Sequence, residues 1–380
     1  MANYRNIEEY RRKKRNRRII RNILLAIFIV GLLFILLNIL EIFKGSKLDQ
    51  MITGAQQQES DRYPLTIKQE QMVDLQTVGS SIAVLTKSSI MTYSSKGTKE
   101  NTVMHGYTNP VVKEGGKRLL VYDRGGNKLR VITQSSEIGE VTTESPILCA
   151  DISSSGKVAV AMSYKSNTPA VIVYNENLKV AYRYFVTEDF TSVAFSEDGT
   201  RLALLSLTSP DGILGANLYE LDTAKSEDAK ITHISNIVPL AVSYKAGGGL
   251  FVVGKDSTVC INGISQKRFE YTGTLERFSF VGRDSLLLVT ENMFSSYSAL
   301  TLLSGDASVK KSMELNDDVL DVYSDGGRIE ILSKKSLGNF DSTLGRLNEI
   351  PISTTCRKVV YNGEDAYTMG EDTIQKYSID

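Results

Sequence analysis

The chain has 380 residues, and its 44 basic and 44 acidic side chains cancel. That balance hides a division, because residues 1–22 hold nine basic and two acidic residues and leave 35 basic and 42 acidic for the rest. Three cysteines, Cys149, Cys260 and Cys356, are too few and too widely spaced for a disulfide framework, so the chain must be held by its apolar core.

The first predicted element is a membrane span. Arg11, Arg12, Lys13, Lys14, Arg15, Arg17, Arg18 and Arg21 precede residues 23–40, where Asn38 is the only polar side chain. At about 1.5 Å per residue, a helix over 23–43 covers roughly 30 Å, the thickness of one hydrocarbon core. The positive-inside rule then keeps residues 1–22 in the cytoplasm as a basic tail against the lipid bilayer, with everything that follows outside the cell membrane. A secretory signal peptide has a shorter apolar run and a small-x-small cleavage site, both missing here, so an uncleaved single-pass signal-anchor is expected. The first cysteine stands at 149, which excludes a lipoprotein. A basic segment held at the membrane with no interleaved stacking aromatics gives no reason to expect nucleic-acid binding. The tail is too short for a kinase or nucleotide-cyclase domain.

Residues 44–63 form a polar, Gln-rich, aperiodic linker. From 64 to 380 the texture changes to short alternating runs of β-branched, aromatic and leucine residues, separated by Gly, Ser, Asn and Asp clusters. Each cysteine lies in such an apolar run and is expected to be buried. No asparagine stands in an N-x-S/T sequon, in keeping with an external bacterial protein.

These runs repeat. Units of apolar strand, polar turn, strongly apolar strand and amphipathic strand start near Met72, Val111, Ile147, Phe190, Pro239, Leu275, Val319 and Cys356. Their spacing of roughly 35–50 residues is that of a four-stranded propeller blade. A third strand follows in each unit: SIMTYS, LRVITQ, AVIVYN, ANLYELD, STVCING, ALTLLSG, STLGRLN and TIQKYSID. Pro110, Pro146, Pro239 and Pro351 fall at or just before unit starts, where a residue without an N–H suits an entry better than a ladder. The last unit ends one strand short, so a strand within residues 65–71 is expected to complete it and close the ring. The fold class is therefore all-β: an eight-bladed β-propeller preceded by one transmembrane helix. Seven blades follow if the unit at Val319 or the first one is misread.

Residues Val193 to Ala203, VAFSEDGTRLA, resemble the strand–turn–strand signature of WD-like bacterial propeller repeats, and Ile152 to Val160 is a looser copy. Asp-Gly and Ser-Gly supply the positive φ that the tight hairpin requires. With no tryptophan anywhere, the Trp-Asp dipeptide of true WD repeats is absent. In layout, a short basic tail, one span and an external propeller, the chain also resembles an uncharacterised family of bacterial membrane-anchored propeller proteins. These resemblances imply architecture and no activity.

Chemistry is sparse. His105 and His233, the two histidines, fall in different units, and zinc needs three or four ligands at short spacing. No G-x-S-x-G elbow occurs. Glu188-Asp189, Asp317-Asp318 and Glu364-Asp365 stand beside turns, and Asn316, Asp317, Asp318 and Asp321 lack the D-x-[DN]-x-[DN]-G calcium spacing. Gly125-Gly126, Gly247 to Gly249 and Gly326-Gly327 lie between strands, with no helix following to cradle a phosphate. Tyr182 and Tyr184 would share one strand face, where tyrosines could meet a sugar or peptide. No catalytic residue, metal site or cofactor is expected. The expected function is non-enzymatic: a membrane-anchored, extracytoplasmic module that binds a protein or envelope polymer. The alternatives are a ligand- or glycan-binding sensor subunit working with another membrane protein and, third, an extracellular hydrolase.

Overall fold

The computed structural model describes residues 62–379 except 69, 226–227, 292–296, 326 and 353–354. The basic tail at 1–22, the span at 23–43 and residues 44–61 of the linker lie outside the described residues. Among those described, no helix is long and apolar enough to cross a membrane.

The described residues form eight antiparallel four-stranded sheets. Their innermost strands are Met72–Val78, Pro110–Gly115, Ile147–Ile152, Phe190–Phe195, Pro239–Tyr244, Thr274–Val281, Val319–Asp325 and Lys358–Asn362, which begin blades 1 to 8 in that order. The architecture is the expected all-β propeller with eight blades, which removes the seven-bladed alternative. Blade 8 takes its outermost strand from the other end of the chain: Leu65–Thr66 pairs with Thr373–Ser378, Leu65 opposite Ile374 and Thr66 opposite Thr373. The ring is thus closed where the sequence predicts, by a ladder shorter than residues 65–71. Arg62 and Tyr63, assigned to the linker, already touch blade 1: the Arg62 N–H donates to the Lys96 carbonyl (3.1 Å) and the Tyr63 hydroxyl to that of Ser94 (3.1 Å).

Burial explains the sequence texture. A second strand is covered on both faces by adjoining blades, so SIAVLT, VAVAM and LFVVG are apolar almost without interruption and fully buried. Fourth strands meet solvent and are polar, as in Ser265–Glu270. The buried side chains group into hydrophobic clusters that bridge successive blades around the ring. At about 1.5–3 kcal/mol for each fully buried Leu, Ile, Val or Phe, these junctions replace absent disulfides. All three cysteines are buried within the clusters.

Two details differ from expectation. The third strand of blade 7 is Ser336–Asp341, not STLGRLN, whose Leu344 sits in the following turn at φ 63°. Pro351 ends the fourth strand of blade 7, Arg346–Pro351, rather than opening blade 8. Both misplacements come from blade 7, where Gly338 and Asn339 interrupt the apolar pattern of a buried strand.

Candidate functional site

Antiparallel order gives the ring two unlike faces. Turns between first and second and between third and fourth strands lie on one, here called lower. Turns between second and third strands, and the crossings from blade to blade, lie on the upper.

The residues singled out for chemistry hold the frame together. Glu188 accepts hydrogen bonds from the Ser206 hydroxyl and from Asn217 Nδ2 (3.3 Å), and Asp189 from the Tyr164 N–H (2.8 Å). Asp317 accepts from the Lys335 N–H (3.1 Å), Asp318 pairs with Lys334, and Asp365 pairs with Lys376 at 3.1 Å. Asp321 accepts from the Val359 N–H at 3.0 Å. His105 Nδ1 accepts from the Tyr107 N–H (3.0 Å), and His233 Nδ1 meets Asn217 Oδ1 (3.1 Å), two blades and more apart. Among the described residues no group of three His, Cys, Asp or Glu converges. Tyr182 and Tyr184 do share a face, but they pack on the blade 3–4 core. Gly125-Gly126 and Gly247 to Gly249 occupy turns between strands, as does Gly327, while Gly326 lies outside the described residues.

The WD-like turn repays its resemblance. Ser196 Oγ donates to Asp198 Oδ1 (2.6 Å) and accepts from the Arg201 N–H (2.9 Å), while Gly199 adopts φ 64° and returns its N–H to the Ser196 carbonyl (2.9 Å). Hydrogen bonds from Ser196 and Thr200 hold the Asp198 carboxyl down at about 2.

The inner ring divides into two arcs. Strand register places Asp74, Val111, Cys149, Ser192, Ala241, Arg277, Asp321 and Lys358 on one rung of blades 1 to 8. Blades 2 to 5 carry uncharged residues there. Blades 6, 7, 8 and 1 carry alternating charge. Lys358 lies 3.4 Å from Asp74 and 3.9 Å from Asp321, and Arg277 Nε donates to the Leu320 carbonyl (2.9 Å) of blade 7. Burial opposes the Lys358 ammonium, yet Asp74 and Asp321 together lift its pKa above the usual lysine range. Burial raises that of Asp321 despite Lys358.

The upper face of blades 3 to 6 holds the feature that the sequence reading missed. Tyr164, Phe185, Ile213, Leu214 and Tyr297 on its turns or crossings, with Leu207 and Leu240 at adjoining strand ends, are 42–60 % exposed. Blade 4 supplies the centre. Its second and third strands, Arg201–Thr208 and Gly215–Asp222, stay in register to their ends, so the turn at 209–214 projects as a finger bearing Leu207, Ile213 and Leu214. Asp211 at φ 54° and Gly212 at φ 79° reverse the chain, and the Asn236 N–H fixes the finger's base on the Leu214 carbonyl (2.9 Å). Blade 5 is low beside it, since only Lys255 and Asp256 join Leu250–Gly254 to Ser257–Asn262, and Leu240 is exposed on its first strand. The available signal was Ile213-Leu214, two large apolar residues inside a Pro-Asp-Gly turn.

Solved structures share the fold. BamB from Moraxella catarrhalis superposes with a TM-score of 0.55 at 11% identity, covering 84% of this chain and 98% of that one. Apo AztD from Citrobacter koseri gives 0.53 at 12% identity over 75% and 86%, and a eukaryotic initiation factor 0.55 at 12% over 82% and 86%. No curated protein matches the chain. Residues 56–379, the whole ring with its entry, match a single family model, and the chain belongs to the family of unknown function DUF5711.

Proposed function

We propose that the protein is a non-enzymatic interaction module, held at the cell membrane by residues 23–43 with its propeller outside, that binds a protein or envelope polymer through the upper face of blades 3 to 6. The supporting observation is the apolar group around the blade 4 finger. Water-exposed Phe185, Leu207, Ile213 and Leu214 add nothing to the core, and a cluster of such side chains on one face marks an interaction surface. The chain enters the ring on the other face: Arg62 is bonded to Lys96, in the lower turn between the third and fourth strands of blade 1. A tether from there leaves the finger free to meet a partner. The paired carboxylates support a non-catalytic reading, since Glu188, Asp189, Asp317 and Asp318 are engaged by strand ends.

A photocrosslinking residue at Ile213 in the full-length protein, in living cells, tests this. A defined adduct from position 213, absent from position 264 on the lower face and lost when Leu207 and Leu214 become serine, is expected. Equal or no adducts from 213 and 264 would sink the reading. The membrane topology is tested separately: a cysteine at the fully exposed Ile264 should react with an impermeant thiol reagent in intact cells.

One observation favours the sensor reading. A cavity of about 670 Å³ at the upper end of blade 8 is lined by Lys68, Glu70, Arg357, Glu371 and Asp372. Its mixed charge suits a small zwitterionic or polyhydroxylated ligand, and Arg357→Ala would abolish such binding while leaving the position 213 adduct intact.

A further inference from the structure

Among the described residues, blade 7 carries the one fully buried acid whose carboxyl is unpartnered. Glu330, in the middle of the second strand Arg328–Ser333, is 0 % exposed, and neither carboxyl oxygen has a hydrogen-bond partner. Asn339, its direct opposite on the third strand, is 1 % exposed, and its Oδ1 is also without a partner. The corresponding position, facing the next blade, is apolar or aromatic elsewhere: Ala83, Leu120, Ala159, Ala203, Phe251, Leu287 and Tyr367. The flanking Ile329 and Ile331 pack toward blade 6, so Glu330 and Asn339 point at blade 8 with Leu332 and Leu337.

Two oxygens that only accept cannot satisfy each other. Directly opposed side chains on one face have Cβ atoms about 5 Å apart, close enough for a carboxyl and an amide to bond when one carries a hydrogen. We propose that Glu330 is a neutral carboxylic acid whose O–H donates to Asn339 Oδ1, and that this proton is taken up as blade 7 packs on blade 8, making closure of the ring sensitive to pH. The proton comes from water, and no bond other than O–H is made or broken.

The surroundings support the neutral form. Among the described residues Arg328, on the same strand, is the charge that favours ionisation, and its guanidinium lies over the Tyr361 ring, 5.3 Å from the centroid. Tyr323 is directly opposite on the first strand, and its hydroxyl meets Thr77 (3.3 Å). Blade 8 faces the pair with Tyr361, Tyr377, Cys356, Ala366 and Thr368. Burial accordingly pushes Glu330 up to about 8. The sign follows: an acid raised from 4.5 in the unfolded chain to about 8 in the ring binds more protons folded than unfolded between those values. Its contribution is complete below pH 4.5 and is lost progressively as pH rises to about 8.

Unfolding enthalpies of the full chain in detergent, measured at pH 6.5 in buffers of different ionisation enthalpy, would show release of about one proton attributable to this site. Glu330→Gln keeps a donor for Asn339 without a titrating group, so it should fold, lose that proton and flatten stability between pH 5 and 8. Infrared difference spectra of wild type minus Glu330→Gln at neutral pH should show a protonated carboxyl carbonyl. An ionised-carboxylate band there, or the same proton count in both proteins, would overturn the proposal. If Glu330→Gln does not fold, the infrared spectrum of the wild type with and without labelled glutamate decides alone.

Discussion

The two arcs of the inner ring solve one problem in different ways. Each blade must be fixed to the next through its first strand. In blades 3 and 4 a side chain accepts a neighbour's N–H without an ion-paired rung: Asp151, under the charge of Lys113, from Phe195 (2.9 Å) and Ser192 from Val242 (3.2 Å). In blades 6, 7, 8 and 1 the same rung is a chain of alternating charges centred on Lys358. The charged arc contains the one junction that covalent connection does not make, where a two-residue strand from the start of the chain closes blade 8. The neutral arc carries the exposed apolar finger. Cohesion and presentation are thus assigned to opposite sides of one ring.

Breaking the charged arc should have the largest effect. Asp321→Ala strands the buried Val359 N–H and removes one carboxylate from Lys358, and should destabilise the ring by about 2 kcal/mol in denaturant unfolding. Lys358 is 37 % exposed at its side chain, so solvent screening leaves most of that cost with the N–H. In the neutral arc, Ser192→Ala removes a neutral acceptor and should cost about 1 kcal/mol; a cost equal to that of Asp321→Ala would erase the distinction between the arcs. Gly199→Ala in the WD-like turn should also cost about 1 kcal/mol by conformation alone, because φ is 64° and the nearest atom to an added Cβ, at 3.4 Å, allows it room. At the finger, serine at Leu207, Ile213 and Leu214 should change stability by less than about 0.5 kcal/mol each while removing the crosslinked partner. A large loss of stability there would make the finger part of the core.

Much of the fold was legible because the physics is local. Alternation gave the strands, turn chemistry the hairpins, and the missing last strand pointed to closure by the N-terminal segment. What failed was also local in cause: Ser336–Asp341 was hidden because its Gly338 and Asn339 answer to Phe340 packing and to Glu330, partners that periodicity does not include. The charged arc was not legible, because Asp74, Arg277, Asp321 and Lys358 are up to 284 positions apart and meet only when the ring closes. The finger was overlooked for another reason, since its apolar residues sit in a turn, where polarity is expected.

The closing strand has a mechanical consequence. Any tension arriving along the chain from before Arg62 reaches Leu65–Thr66 before any other strand, and only two residue pairs hold that strand to Ile374 and Thr373. Load is shared first with blade 1 through the Arg62 and Tyr63 bonds to Lys96 and Ser94, and with blade 8 through the Tyr63 ring, 5.4 Å from that of Tyr367. A pull on the tether is therefore borne by both sides of the seam at once, and the seam yields only when both let go.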